Sequence, residues 1–590
     1  MNKKALLLSA LALLAMTVSA CSVDPTGSGS NNTPSDSTNQ QGGGDNQNSS
    51  SQQGGGNQST SQQNGGGQGQ NDPVGNFTFD ESKLNTPQEI HTTNQKKYLD
   101  FTGEYYHITE SNLTSFSANG NSDVSAPLQT TVEWTYTAKA GKTVSNFSFE
   151  YSQNSNMSDS YKIDGISASA QKVSFYNAYL GDNYFKVTAN LSDGSKEVSE
   201  VKVFKVDTQA PRNLKVGNMP NCRDMGGRTT YAGGKIKQGL IYRTAGNKFD
   251  KTTQVNDECK NVLLNQLKVK KELNVADDAK YDVGLSGITA EHFFMDYGQE
   301  SSVSGISGRV GLPYSNLSRN AEKIRQALEY LSNTSNYPVF YHCRIGTDRT
   351  GITGIILGGL LGIKFNEIFQ DYCFSNFAPI DGKRYPNKSE DKNGDDPAKY
   401  VDEILAMPGK NFQEKTVNAL LSIGVNASTI NSIIDIMTEG TKAELPTTSK
   451  IGKGTDLTST GTKNTKTDYS APNTFYACSS GKETSYTATT TQGAKDIVVY
   501  LGSTDSSNTT KLASGISLKI DGTEKTIVDK TMFKAGFGTT AQTRRTAYMF
   551  QLLGKYDLSA GSHTFAISSK SGTFNVATIC VFDHVDTVAL

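Results

Sequence analysis

The chain has few of the residues that build disulfide scaffolds and metal sites. Among its 590 residues there are seven cysteines and six histidines. So few cysteines exclude a small domain held together by disulfides. The histidines are scattered and form no His-Glu-x-x-His or paired Cys/His motif, so we expect no metal site and no cofactor. The net charge is only -1, which gives no electrostatic reason to expect nucleic acid as a partner.

Long hydrophobic runs are also missing. The apolar run Ala5–Met16 is too short to span a membrane comfortably. It follows a basic start and precedes Val18-Ser19-Ala20-Cys21. This pattern resembles a bacterial lipoprotein signal, in which the cysteine carries lipid after cleavage. We therefore predict a signal peptide over 1–21 with lipidation at Cys21. A plain secretory signal is the alternative, and neither would be part of the fold.

Apolar side chains are almost absent from residues 22–74, which consist mainly of Ser, Gly, Gln, Asn and Thr. Such a segment cannot bury enough surface to offset chain entropy, so it predicts a flexible tether. A lipid followed by a tether predicts a protein held at the extracellular face of a bacterial cell membrane. The lipid anchor is the only membrane contact that we expect.

The most informative segment lies between two apolar runs. Tyr337–Tyr341 predicts a buried strand, and Ile352–Ile363 predicts a buried helix. A strand, a tight loop and a helix N-terminus form an anion site, because backbone N–H groups and the helix dipole converge there. The same field favours a thiolate, the nucleophilic form of a cysteine. The connecting loop reads His342-Cys343-Arg344-Ile345-Gly346-Thr347-Asp348-Arg349-Thr350-Gly351.

This Cys-x5-Arg pattern, with its internal Gly and trailing Thr-Gly, resembles the signature loop of cysteine-dependent tyrosine and dual-specificity phosphatases. The motifs Asn221–Gly227 and Gly239–Thr244 resemble the N-x-R-D-x-G-G and G-L-x-[YF]-R-[ST] motifs of the atypical bacterial tyrosine/lipid branch. Asp371–Asn376 resembles that branch's D-Y-x-x-S-N helix. The resemblance covers about 208–440. One departure is Glu272-Leu273-Asn274, where the branch carries D-L-R, so the arginine is missing.

The resemblance implies a role for each residue of the loop. Cys343 would be the nucleophile, and Arg349 with the amides of Arg344, Ile345, Gly346, Thr347 and Asp348 would bind phosphate. His342 would orient the loop, and Thr350 would donate to the sulfur. Arg223 and Asp224 would support the loop from behind. The general acid is open between Asp348, which we favour, and Asp296.

The substrate class follows less directly from the loop. Lipid-directed members carry Lys where this chain has Thr347, so phosphotyrosine proteins or small phosphomonoesters are the leading substrates. Arg344 still supplies one cation, which leaves a phosphoinositide or inositol phosphate open. The alternative function is a surface adhesin or glycan-binding protein with an inactive or secondary phosphatase domain.

The remaining sequence predicts two β domains. Alternating runs over 75–207, with Leu180 and Tyr184, resemble a fibronectin type III domain. Residues 441–466 predict a linker, and short alternating runs over 467–590 predict a jelly-roll-like sandwich that would bind glycan or act as a spacer. Whether Cys478 and Cys580 pair stays open. The predicted fold class is therefore a central α/β cysteine-phosphatase domain flanked by two β-sandwiches.

Overall fold

The computed structural model describes residues 74–118, 126–276, 278–293, 317, 320–380, 382–386, 397–445, 449–465, 474–503, 512–528, 547–588 and 590. Cys21, most of the predicted tether and Asp296 lie outside these residues. Within the described ranges, no helix has the length and apolar character needed to cross a membrane.

Short antiparallel strands dominate the region before residue 207. The largest sheet has the strand order β5-β4-β7-β8, and β9 also pairs with β7. Two further pairs are β1 with β3 and β2 with β6. The strands are β1 (Phe77–Thr78), β2 (Thr130–Glu133), β3 (Thr135–Tyr136), β4 (Val144–Ser152), β5 (Tyr161–Ser167), β6 (Lys172–Phe175), β7 (Gly181–Leu191), β8 (Lys196–Val198) and β9 (Lys202–Val206). Their inward side chains, including Val132, Phe147 and Phe185, meet in one hydrophobic cluster. A β-rich domain is thus observed, and its fibronectin type III-like class stays a prediction.

Three short helices accompany these strands: α1 (Glu81–Asn85), α2 (Thr93–Leu99) and α3 (Glu110–Ser115). We call residues 90–118 the N-terminal helical segment. Its buried residues Tyr98, Tyr105 and Leu113 belong to the core of the following α/β domain rather than to the core of the β domain. The segment therefore extends the hydrophobic core that surrounds the predicted catalytic loop.

The central region has a six-stranded sheet of order β10-β11-β13-β16-β14-β15, in which β13, β16, β14 and β15 are parallel. The strands of this sheet are β10 (Arg212–Asn213), β11 (Arg223–Asp224), β13 (Ile241–Thr244), β14 (Lys271–Asn274), β15 (Ala290–His292) and β16 (Val339–His342). Outside the sheet, β12 (Lys235–Ile236) pairs with β17 (Thr438–Glu439). The helices are α4 (Asp257–Asn261), continued by a π-helical turn Val262–Gln266, α5 (Ala321–Leu331), α6 (Asp348–Leu361), α7 (Phe365–Phe374), α8 (Ala398–Leu405), α9 (Phe412–Ser422) and α10 (Ala427–Met437).

Helix α6 is the centre of this domain. Every one of its residues is buried, because α7, α9, α10 and the strands β13 and β16 all pack on it. Its glycines permit this close packing: a Cβ atom at Gly351 would overlap the ring of Tyr372. The all-apolar run predicted as a buried helix is therefore confirmed, and it starts directly at the predicted loop.

Two sheets form the C-terminal region. One has the order β20-β21-β28-β23-β26 with β18 also on β28, and the other has the order β19-β22-β27-β24-β25. The strands are β18 (Lys450–Lys453), β19 (Leu457–Ser459), β20 (Thr462–Thr465), β21 (Thr474–Cys478), β22 (Glu483–Thr490), β23 (Gly493–Ser503), β24 (Ile516–Ile520), β25 (Thr523–Lys525), β26 (Ala547–Leu558), β27 (Gly561–Ser569) and β28 (Phe574–Asp583), with the short helix α11 (Leu512–Gly515). The two sheets share a hydrophobic cluster.

Strand β23 in the first of these sheets is buried on both faces. In β23, Ile497, Val499 and Leu501 point into the cluster between the two sheets. Val498 and Tyr500 point the other way, into the core of the α/β domain. Side chains alternate across a strand, so the continuous apolar run reflects two different cores. The sandwich is therefore attached to the α/β domain by a hydrophobic interface.

The structure differs from the sequence prediction at 441–466. Strands β18, β19 and β20 lie within the predicted linker and pair with β28, β22 and β21. Their exposed faces carry Lys, Thr and Ser, which explains why the composition resembles that of a linker. Cys478 and Cys580 are both free and lie in different hydrophobic clusters, so the bond that the sequence left open is not formed.

Candidate active site

The Cys-x5-Arg loop follows β16 at the carboxyl end of the parallel strands. His342, the last residue of β16, lies between Thr244 of β13 and Asn274 of β14. Cys343 comes next and is only 2% exposed. Helix α6 begins at Asp348, so the loop passes directly from the centre of the sheet to a helix N-terminus.

Four consecutive backbone carbonyls of the loop accept hydrogen bonds from donors outside the loop proper. The pairs are His342 Nδ1 with Cys343 O at 3.0 Å, Gly246 N with Arg344 O at 2.9 Å, Asn221 Nδ2 with Ile345 O at 3.0 Å, and Arg243 NH2 with Gly346 O at 2.8 Å. A carbonyl oxygen can only accept, so Nδ1 of His342 carries the proton of its pair. All four carbonyls are therefore held away from the interior of the loop.

The orientation of these carbonyls fixes the orientation of the next N–H groups. In a planar trans peptide the C=O and the following N–H point in opposite directions. Holding the carbonyls of Ile345 and Gly346 outward therefore turns the N–H groups of Gly346 and Thr347 inward. Within the described part of the chain, neither N–H donates a hydrogen bond to another group. Together with the N-terminus of α6, they form an anion-binding concavity.

Gly346 is required by this geometry. Its φ is +71°, in the region that side chains with a Cβ atom avoid. A Cβ atom here would also overlap the carbonyl group of Thr244. The glycine inside the motif is therefore explained by both backbone conformation and space.

A buried ionic network supports the loop from behind. Asp371 of α7 accepts from Arg223 Nε at 2.9 Å and from Arg243 NH1 at 2.5 Å. Arg223 also donates from NH1 to Asn221 Oδ1 at 2.5 Å. Burial alone would raise the pKa of Asp371, but the guanidinium groups of Arg223 and Arg243 hold it well below its usual value. Burial and the neighbouring Arg243 lower the pKa of Arg223 to about 10.

Asp224 has a different position from the one predicted. Its carboxylate accepts from the N–H groups of Gly226 at 2.8 Å and Gly239 at 2.6 Å, and Arg212 NH2 lies 3.4 Å away. Burial raises the pKa of this carboxyl, and Arg212 opposes the shift. Asp224 thus fixes the turn before β13, whereas Arg223 reaches the loop through Asn221.

The other predicted loop residues lie at the start of α6. Asp348 Oδ1 accepts from Arg384 Nε at 2.9 Å, and Arg349 is 7% exposed in the first helical turn. Thr350 is fully buried, and its hydroxyl has no hydrogen-bond partner among the described residues. Arg344 NH1 donates to the carbonyl of Phe249 at 2.9 Å. Asp296 lies outside the described residues.

Several residues of the site were not predicted. Asn221, Arg243 and Asp371 stand inside the motifs that signalled the family, but nothing in the sequence showed that Asn221 pairs with Arg223 or that Arg243 pairs with Asp371. Glu272 Oε1 lies 2.9 Å from His342 Nε2, and the only signal for Glu272 was the departure from D-L-R. Arg384 had no signal. Its backbone N–H and carbonyl both pair with the amide of Asn376, at 2.7 and 2.6 Å.

Comparison with known proteins points to the same part of the chain. Residues 214–440 match the model of the tyrosine phosphatase family. No curated protein matches the chain. This range coincides with the central α/β region and contains the Cys-x5-Arg loop.

Solved structures give only partial alignments with this chain. An exo-beta-1,3-galactanase from Phanerochaete chrysosporium aligns at 10% identity and a TM-score of 0.18, over 23% of this chain and 30% of its own. A family 35 carbohydrate binding module from Clostridium thermocellum aligns at 14% identity and a TM-score of 0.17, over 23% of this chain and 99% of the module. The core catalytic domain of a PP-IP phosphatase from S. cerevisiae aligns at 20% identity and a TM-score of 0.18, over 28% of this chain and 88% of that domain. The chain thus spans less than a third of the length of the galactanase.

Proposed function

We propose that the enzyme hydrolyses phosphotyrosine, or other phosphomonoesters, through a phosphocysteine intermediate on Cys343. The observation that carries this proposal is the set of outward carbonyls, which turns the N–H groups of Gly346 and Thr347 toward the interior of the loop that begins at Cys343. Such preorganised donors stabilise the charge on a transferring phosphoryl group. Arg349, at the end of the loop, adds a planar fork that can bind two phosphate oxygens.

The proposed reaction has two steps. In the first, the thiolate of Cys343 attacks phosphorus, the S–P bond forms and the bond from phosphorus to the leaving oxygen breaks. A general acid, Asp348 or Asp296, gives that oxygen its proton. In the second step the carboxylate left by that acid takes a proton from a water molecule, whose oxygen attacks phosphorus as the S–P bond breaks. The step releases inorganic phosphate and the thiolate, which Thr350 stabilises by donating a hydrogen bond.

The chemistry of the loop favours phosphotyrosine as the substrate class. Thr347 stands where lipid-directed relatives carry a lysine, and its hydroxyl accepts from Asn221 Nδ2 at 3.2 Å. The loop therefore lacks the extra ammonium group that a polyphosphorylated headgroup would use. A phosphoinositide or inositol phosphate is the second substrate class, because Arg344 still places one cation in the loop.

The proposed location is the extracellular face of a bacterial cell membrane. The lipoprotein-like signal at 1–21 and the polar segment at 22–74 support this location. A phosphatase at that position would act on phosphoproteins or small phosphomonoesters from outside the cell.

A substrate panel tests the proposal. Purified enzyme is assayed on a phosphotyrosine peptide, a phosphoserine peptide, phosphoinositides and inositol hexakisphosphate, with Cys343→Ser as the matched control. We expect the phosphotyrosine peptide to be the best substrate and the serine variant to be inactive. Wild-type protein that turns over none of them, yet binds tightly on a glycan array, would favour the adhesin alternative.

A further inference from the structure

Asp371 lies at the junction of two series of side-chain contacts that both end on the phosphate-binding loop, and we call each series an arm. Through Arg223 it reaches Asn221, which donates to the carbonyl of Ile345 at 3.0 Å. Through Arg243 it reaches the carbonyl of Gly346 at 2.8 Å. The two arms thus hold two adjacent peptide groups of the loop. These are the groups that turn the N–H of Gly346 and of Thr347 inward.

Both arginines need the carboxylate between them. Arg223 and Arg243 are each 1% exposed, and a buried cation without a counter-charge is strongly destabilised. Asp371 Oδ1 accepts from Arg223, and Oδ2 accepts from Arg243. The backbone carbonyl of Asp371 also accepts from Arg223 NH2 at 2.8 Å. Each guanidinium therefore keeps one end on Asp371 and directs the other end toward the loop.

We propose that Asp371 is a positioning residue that sets the orientation of the phosphate-binding amides through these two arms. The proposal rests on the proposed phosphatase function and adds to it a remote residue, on α7, that acts on the transition state. The amides meet the equatorial oxygens most closely when phosphorus is five-coordinate. Tilting them therefore weakens transition-state binding more than ground-state binding.

The experiment releases each arm separately. Asn221→Gly removes the donor to Ile345 while allowing the residue's φ of +61°. Arg243→Lys keeps the positive charge beside Asp371 but replaces the fork that spans Asp371 and Gly346. Asp371→Asn removes the anchor of both arms. Glu197→Gln is the control, because Glu197 is a buried carboxylate that accepts from Tyr136 OH at 2.8 Å in the N-terminal β domain, far from the loop in sequence.

We expect Asn221→Gly and Arg243→Lys each to lower kcat/KM by about tenfold to a hundredfold, mainly through kcat. The inhibition constant of orthovanadate, which mimics the transition state, should rise by the same factor. That of inorganic phosphate should change by less than about threefold. Glu197→Gln should lower Tm but leave all three quantities unchanged. In the Asp371→Asn background, Asn221→Gly should have a smaller additional effect than in wild type, since the arm is already released.

Two results would overturn the proposal. One is a folded Asn221→Gly or Arg243→Lys enzyme with kcat/KM within about threefold of wild type. The other is an equal rise in the inhibition constants of phosphate and vanadate. If Asp371→Asn does not fold, the two arm variants decide the question. If wild-type enzyme has no turnover, the proposed function fails, and calorimetric binding of orthovanadate and phosphate to the same variants still tests the two arms.

Discussion

The imidazole Nε2 of His342 lies 2.9 Å from Glu272 Oε1, and both side chains are fully buried. The same carboxylate oxygen accepts from the N–H of Val283 at 2.6 Å. Glu272 thus joins the residue before the nucleophile to the loop after β14. Because Nδ1 of His342 donates to the carbonyl of Cys343, this contact fixes the orientation of the first peptide group of the loop.

Replacing Gly346 by Ala should abolish most activity without unfolding the protein. The new Cβ would be strained at φ +71° and would overlap the carbonyl of Thr244, so the loop must move. We expect kcat/KM to fall by about a hundredfold, comparable to losing one donor from an anion hole. Gly194→Ala is the matched control, because Gly194 has φ +84° and open space around it. A variant with full activity at position 346 would show that the loop geometry is not essential.

The thiols should differ sharply in reactivity. Burial raises the pKa of Cys222 and Cys373, and it raises the pKa of Cys259 and Cys580 to about 12. These thiols are therefore protonated at neutral pH and unreactive. We expect iodoacetamide or hydrogen peroxide at about pH 7 to inactivate the enzyme in step with modification of Cys343. Peptide mapping by mass spectrometry checks this, with orthovanadate as protectant. Inactivation while Cys343 remains unmodified would contradict the assignment.

The interface of the N-terminal helical segment should contribute measurably to stability. Tyr98 is fully buried, its hydroxyl donates to the carbonyl of Gln370 at 2.7 Å, and its ring contacts Phe377 with centroids 5.4 Å apart. Tyr98→Phe should cost about 1 kcal/mol and Tyr98→Ala about 3–5 kcal/mol. Urea unfolding measures both. Tyr161→Phe is the control, since that residue lies on the edge strand β5 and makes no hydroxyl hydrogen bond within the described residues. Equal stability of Tyr98→Ala and wild type would show that the segment is not part of the core.

Stability should fall in a defined acid range because of Glu89. Burial would raise the pKa of Glu89, but hydrogen bonds from His91 and Lys96 lower it from 4.5 to about 2. A carboxyl with a lowered folded-state pKa stabilises the fold fully above its ordinary value and loses that contribution as pH falls through the lowered one. Wild type should therefore be more stable than Glu89→Gln at about pH 5, and the difference should vanish toward about pH 2. Denaturant titrations across this range measure the difference, and a constant difference would refute the linkage.

Attachment to a membrane should depend on Cys21. The sequence around it predicts lipidation, and each buried methylene of an acyl chain contributes about 0.8 kcal/mol, so two or three chains hold a protein firmly. Wild type should fractionate with membranes and incorporate a fatty-acid analogue. Cys21→Ala should incorporate none and should accumulate as a precursor or be released. Label retained by the variant would show that the N-terminus is not a lipoprotein signal.

The sequence predicts those features that depend on neighbouring residues. Alternation predicted several of the longer strands of the β domains, such as β4, β7 and β23, and the strand, loop and helix around Cys343 were predicted because their signal is local. The supports of the loop were not predictable in this way, since Arg223 and Asp371 are 148 positions apart and His342 and Glu272 are 70 apart. The prediction of a linker from composition was wrong at 441–466, because edge strands with one solvent-exposed face contain the same Thr, Lys and Ser as a linker.

Because β23 buries one face in each of two cores, proteolysis of the polypeptide should not separate the two domains. Val498 and Tyr500 hold the C-terminal sandwich on the α/β domain through side chains, independently of the peptide connection between them. A protease that cleaves between β17 and β18 would break the polypeptide but leave both pieces bound to each other. Two bands in a denaturing gel would then accompany a single peak in gel filtration.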